Sequence, residues 1–249
     1  MPVFKRDGAE IYYEVHGSGY PLLIFAPGGL RSQLSFWRES PSNPNAKPVW
    51  MDPMVDLAGK YRVVAMDQRN AGRSTARFSG SDGWHSFTGD HLALMDHLGI
   101  RRAHIMGGCI GVSFCLKMCE MAPERVAAAV LQNPIGDADN RQVFVNLVET
   151  WAKDMRARPA GLDEAALKTF ANSMFGGDFV FSVSRDFVRG CKIPMLVMPG
   201  DDAPHPKVIG EEIASLAPNA EIMREWKGPA HLAEAIKRVE AFLDRHTPR

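Results

Sequence analysis

No stretch of this chain approaches the ~20 consecutive apolar residues that a helix needs to cross a bilayer, and neither charge is in excess. Lysine plus arginine balance aspartate plus glutamate at 29 each. The first absence argues against a membrane partner, and the second leaves no global field to hold nucleic acid or an anionic surface. Met1-Pro2-Val3-Phe4-Lys5-Arg6 carries no apolar signal core, so the cytoplasm is the expected location. Cysteine is scarce, with Cys109, Cys115, Cys119 and Cys191 making up the four. Cys115 and Cys119 lie at i,i+4 on a predicted helix, a spacing that does not direct two sulfurs into a disulfide, and they read as core filler. No histidine or cysteine cluster has the spacing of a structural zinc site, so no metal is expected.

What is present suits one α/β domain over residues 1–249, with 45% hydrophobic and 23% charged residues. Asp7-Gly8 between two alternating segments, 3–5 and 11–15, signals a hairpin. Short continuous apolar runs at 22–26, 61–66, 103–106, 126–132 and 195–198 read as strands buried on both faces. Helical patterns fall between them, at 54–59, 87–98, 112–121, 207–216 and 232–245, and a further strand is expected at 221–225. Strands alternating with helices predict a mostly parallel sheet with helices on both faces. The segment 40–53, rich in proline, serine and asparagine, reads as a long surface loop. From 136 to about 180 the pattern becomes amphipathic helix, over 143–157 and 162–174, and is read as a small helical lid. Trp151, Phe170, Met174 and Phe175 would either line a pocket under that lid or pack it onto the core.

The run Met106-Gly107-Gly108-Cys109-Ile110-Gly111 lies between a strand and a helix and puts a thiol in the small-x-nucleophile-x-small pattern of a nucleophile elbow. Such a turn holds its central residue in a strained conformation, and the residues two before and two after it come too close for side chains. The helix that follows aims its amides and dipole at the sulfur, which favours the thiolate. A lone glycine–cysteine turn is otherwise ordinary core structure.

Three further pieces accompany the elbow: Pro27-Gly28-Gly29 after an early strand, Gly200-Asp201-Asp202 after a late one, and His231 after the last. With the Asp67-Gln68-Arg69-Asn70-Ala71-Gly72-Arg73-Ser74 run, their order resembles the α/β-hydrolase superfamily over nearly the whole chain. The resemblance implies that superfamily's fold, with an eight-stranded sheet and a helical lid. It implies Cys109 as nucleophile, His231 as the base in a loop before the final helix, and Asp202 as the acid that orients it. It also implies an oxyanion hole from the amides of Ile110 and Gly29, and gives the Asp67–Ser74 run a supporting role. The acid usually stands three residues past the glycine, where this chain has Ala203, so Asp201 competes with Asp202 and Asp137 is a more distant alternative. His205 is ranked behind His231 because it shares a loop with its supposed acid.

A cysteine in this position resembles the dienelactone hydrolases. The implied activity is hydrolysis of a small carboxylic ester, lactone or thioester through an acyl-cysteine, on a small-molecule substrate and without a cofactor. The superfamily also contains acyltransferases, lyases and non-enzymatic ligand-binding proteins, so those readings stand beside it.

Overall fold

The computed structural model describes residues 2–40, 48–158 and 162–248. Most of the expected 40–53 loop, and the three residues 159–161 within the expected lid, lie outside them. The chain opens with the hairpin β1 (Val3–Arg6) and β2 (Ala9–His16). Its two turn residues, Asp7 and Gly8, both have positive φ, as the tightest hairpins require. β3 (Tyr20–Phe25), β4 (Tyr61–Met66), β5 (Ala103–Gly108), β6 (Val126–Gln132), β7 (Met195–Met198) and β8 (Ala220–Ile222) complete an eight-stranded sheet in the order 1-2-4-3-5-6-7-8. β2 is antiparallel to β4, and from β4 to β8 every pairing is parallel.

The apolar runs are continuous because both faces are covered. Leu23, Phe25, Ile105, Leu131 and Val197 enter one core, while Leu22, Ile24, Met106, Val130 and Leu196 enter the other. The first face is covered by α2 (Trp84–His97), α3 (Ile110–Met121) and α7 (Lys207–Leu216). The second is covered by α1 (Pro53–Asp56) and α8 (Leu232–His246), whose Val239, Phe242 and Leu243 are fully buried. Between β6 and β7 run α4 (Arg141–Arg156), α5 (Glu164–Phe175) and α6 (Arg185–Gly190). The sequence pattern anticipated α4 and α5. It did not reveal α6, a six-residue helix capped by the Ser184 hydroxyl, which is too short to show a period.

Trp151, Phe170, Met174 and Phe175 pack into the core, and the ring of Trp151 meets those of Phe170 and Phe78, Phe170 meets Phe78, and Phe175 meets Trp84, Phe144 and Phe181. They therefore hold the α4–α5 layer down and do not line the cavity described below. Among the described residues no helix is long and apolar enough to cross a membrane.

Candidate active site

Cys109 lies between β5 and α3 with φ 59° and ψ −120°, a conformation L-residues avoid, and it caps α3 at its N-terminus. The flanking glycines explain how the chain tolerates this. A Cβ on Gly107 would sit 2.1 Å from the carbonyl oxygen of Gly111, and one on Gly111 would sit 2.1 Å from that of Phe25 in β3. The sulfur faces a cavity of about 360 Å³, lined in part by Pro27, Gly28, Gly29, Trp37, Gln132, Asn133, Asp202, His205 and Trp226.

Two amides approach the sulfur, those of Ile110 and Gly28. Ile110 supplies the first N–H of α3, where no intrahelical acceptor exists. Gly28 has φ 114° and opens a 3-10 turn, Gly29–Arg31; a side chain there would enter the Phe36 ring, 2.5 Å away. The expected second donor was Gly29. It lines the same cavity, but the tight turn brings the amide one residue earlier to the sulfur.

The imidazole beside Cys109 belongs to His205, which corrects the expectation for His231. Asp202 and His205 close a β-turn in which the His205 amide donates to the Asp202 carbonyl at 3.0 Å. The ring's Nδ1 donates to Asp202 Oδ1 at 2.5 Å. Pro204 and Pro206 flank the ring and stiffen the turn. Nε2, on the ring's far side, is buried without a hydrogen-bond partner, and the ring and the Cys109 thiol shift each other's ionisation.

His231, by contrast, occupies the N-cap of α8 and is absent from the residues lining the cavity. The loop after β8 instead gives the cavity wall Trp226, which is 1% exposed and donates its indole N–H to the Pro199 carbonyl at 2.8 Å. β8 itself ends at Ile222, earlier than the expected 221–225 strand.

The acid alternatives are otherwise engaged. Lys227 holds the Asp201 carboxylate, and Arg141 holds that of Asp137. Asp67 is fully buried and accepts the amides of Leu34 and Arg73, each at 2.9 Å, and so anchors the turn that carries Trp37. The Asp67–Ser74 run thus anchors the turn that carries Trp37 to the cavity wall.

Electrostatics favour an ion pair. Burial alone pushes the Cys109 thiol up, but the positive His205 ring and the amides of Gly28 and Ile110 outweigh it, leaving the thiol below its ordinary value. Burial likewise disfavours the imidazolium, yet the Cys109 thiolate and the Asp202 carboxylate raise His205 to about 9. Burial also works against the Asp202 charge, which the His205 bond and Lys227 nonetheless hold below the usual carboxylate range. Asp202 is 52% exposed against 12% for His205, so solvent screens its charge and its chief effect is to fix the ring's tautomer and angle.

Of the other cysteines, Cys115 is pushed well up by burial. Cys119 faces Cys191 as a free thiol and lowers it to about 7 by hydrogen bonding. His205→Gln removes the cation and leaves burial of Cys109 opposed by the two amides alone. Alkylation of Cys109 by iodoacetamide at pH 7, followed by peptide mapping, is expected to slow about tenfold or more in that variant. The rate at Cys191, which touches none of these groups, is expected to hold. An unchanged Cys109 rate would contradict the ion pair.

A strained strand–turn–helix elbow at the C-terminal end of a parallel sheet, two converging amides and an acid–imidazole pair beside the elbow side chain define an α/β hydrolase architecture. The sequence family described as alpha/beta hydrolase fold matches residues 21–188, and the chain belongs to it. RutD of Azorhizobium caulinodans, whose name proposes carbamate hydrolysis, is 30% identical over 140 residues, 56% of this chain and 46% of that one. The chain thus spans less than half the length of that relative. A non-heme haloperoxidase of Rhodococcus erythropolis is 27% identical over 241 residues, covering 81% of this chain and 82% of its own. Among solved structures, a meta-cleavage product hydrolase of Pseudomonas fluorescens IP01 superposes with a TM-score of 0.73 at 19% identity, covering 99% of this chain and 98% of its own. The enol-lactonase of Burkholderia xenovorans LB400 gives a TM-score of 0.65 at 23% identity, with 98% and 100% covered. At these identities the superpositions show the shared fold alone.

Proposed function

We propose that the protein hydrolyses a small carboxylic ester, lactone or thioester through an acyl-cysteine, with Cys109 as nucleophile, His205 as acid and base, and Asp202 as orienting acid. The observation that carries this reading is the His205 ring, bonded to Asp202 and lining the same cavity as the Cys109 sulfur, with ring and thiol shifting each other's ionisation and the amides of Gly28 and Ile110 meeting at that sulfur. The names of relatives, among them a carbamate hydrolase, an enol-lactonase and an esterase, agree with attack on an acyl carbon.

The thiolate adds to the carbonyl carbon, and the resulting oxyanion is held by the amides of Gly28 and Ile110. The His205 imidazolium gives its Nε2 proton to the departing alkoxide or thiolate as that bond breaks, leaving a thioester on Cys109 and a neutral ring. Water then attacks the thioester while Nε2 takes one of its protons. Collapse of the second adduct expels the Cys109 thiolate, releases the carboxylic acid and restores the ion pair.

Mixing with p-nitrophenyl acetate and measuring intact mass tests the chemistry. One acetyl group is expected, mapping to the Cys109 peptide, because acylation needs the amide pair and the imidazole, which Cys191 lacks. No adduct and no turnover of esters, lactones or thioesters would remove the acyl-transfer reading and leave binding without turnover. Because the His205 proton is needed by the leaving group, kcat/KM should fall as pH rises through about 9, the value to which the ion pair raises the ring. On the acid side it should fall where Cys109 regains its proton. A profile flat from neutrality to pH 10 would contradict the assignment of His205.

A further inference from the structure

The cavity beside Cys109 concentrates polar groups that the protein itself leaves without partners. Twelve buried side-chain nitrogen or oxygen atoms among the described residues have no hydrogen-bond partner, and six of them belong to residues lining this cavity. One is His205 Nε2, already assigned to proton transfer; the others are both polar atoms of Gln132, Asn133 Oδ1 and the indole nitrogens of Trp37 and Trp50. Buried polar groups are paired in the great majority of cases, so a cluster around one concave site marks groups kept for a ligand.

Gln132 is the centre of the cluster. It is the last residue of β6, stands opposite Gly108 in the register with β5, and its backbone carbonyl accepts the Cys109 amide at 3.0 Å. On its other side it pairs with Met198 of β7, the strand that leads to Asp202 and His205. Its side chain, in a residue only 2% exposed, therefore starts between the nucleophile strand and the acid–base loop. A carboxamide presents a donor and an acceptor side by side, and the group that satisfies both at once is another planar edge with N–H beside C=O.

We propose that Gln132 selects substrates whose acyl part carries a neutral carboxamide-type edge, a primary amide or a lactam, with the indole N–H groups of Trp37 and Trp50 as further donors. The proposal rests on the acyl-transfer reading of Cys109 and names the substrate class for that same site. The amide is a recognition handle and is not cleaved. A carboxylate is the poorer match because it only accepts hydrogen bonds, leaving Gln132 Oε1 and Asn133 Oδ1 facing acceptors. The cation that could offset this among the described lining residues outside the proposed catalytic pair, Arg31, is ion-paired with Asp154 at 2.8 Å. A methyl ketone of the same shape keeps the acceptor but leaves the Gln132 acceptor unmet.

The test compares p-nitrophenyl esters of glutaramic acid, 5-oxohexanoic acid and glutaric acid, which differ at one end by NH₂, CH₃ or O⁻, each corrected for spontaneous hydrolysis. In the wild type kcat/KM for the amide is expected to exceed that for the ketone about tenfold, the usual scale for a buried hydrogen-bonding group left unpaired, with the acid lowest. Gln132→Met, which keeps the volume and removes both polar atoms, should bring the amide-to-ketone ratio below about two. A ketone ester cleaved as well as the amide, or a ratio unchanged in Gln132→Met, would overturn the proposal.

A second measurement does not depend on turnover or on that variant folding. Calorimetric titration of Cys109→Ala with methyl glutaramate and methyl 5-oxohexanoate should show at least about fivefold tighter binding of the amide. Equal dissociation constants would overturn the proposal. If the wild type fails to form an acyl adduct while this preference holds, the chemistry assigned to Cys109 fails and the carboxamide site stands.

Discussion

His205→Gln is expected to lower kcat/KM for p-nitrophenyl acetate at least ~100-fold, the lower end of what a positioned acid–base group supplies. His231→Ala should stay within about threefold of the wild type. The contrast follows from placement. His205 joins Asp202 at 2.5 Å and shares its ionisation with Cys109, whereas His231 caps α8 outside the cavity lining. Removing the ring leaves the thiolate without its counter-ion and the departing group without a proton donor, so both steps suffer. Steady-state rates alongside thermal melts separate chemistry from folding. Should His231→Ala lose activity with an unchanged melt while His205→Gln keeps it, the proton-transfer role returns to the loop after β8.

A large loss of stability should come from Gly111→Ala. An added methyl would meet the Phe25 carbonyl oxygen at 2.1 Å, and that atom is backbone of the neighbouring strand, so no side-chain rotation relieves the clash. We expect at least ~3 kcal/mol of destabilisation, from overpacking added to displacement of α3 or β3. Gly59→Ala is the matching control, since a methyl there meets nothing within 4 Å, and it should change stability by less than about 1 kcal/mol. Urea unfolding followed by tryptophan fluorescence reads both. Equal midpoints for the two variants would mean that the elbow is not as tightly packed as described.

The parts of this architecture set by short-range pattern were legible in the chain. Buried strands announce themselves as unbroken apolar runs, and the 61–66 and 126–132 runs match β4 and β6 in full. The elbow was legible because its steric demand falls on fixed neighbours, Gly107 and Gly111. The identity of the imidazole was not, since it depends on where two late loops settle in space. Asp202-Ala203-Pro204-His205 is a visible local signal, but a turn that closes on itself looks in sequence like a cap, and superfamily order pointed to His231. What decides the matter is Trp226, whose burial and bond to the Pro199 carbonyl commit the loop after β8 to the cavity wall. Gln132 escaped notice for a similar reason. The end of a strand says nothing about its neighbours until the register places it opposite Gly108.

The acid and imidazole lie three positions apart on one proline-flanked turn. Aligning a carboxylate with a ring from the distant loop after β8 would require closing a long segment and docking a terminal helix. Here the two groups meet across a local loop, whose closure entropy is small. The pair is therefore a portable cassette, able to form as soon as β7 joins the sheet, and its alignment survives fraying of the C-terminal helix. On the proposed roles, residues beyond β8 take no part in proton transfer. Drift in that part of the chain can reshape the Trp226 wall, and with it the choice of substrate, without disturbing the acid–imidazole pair.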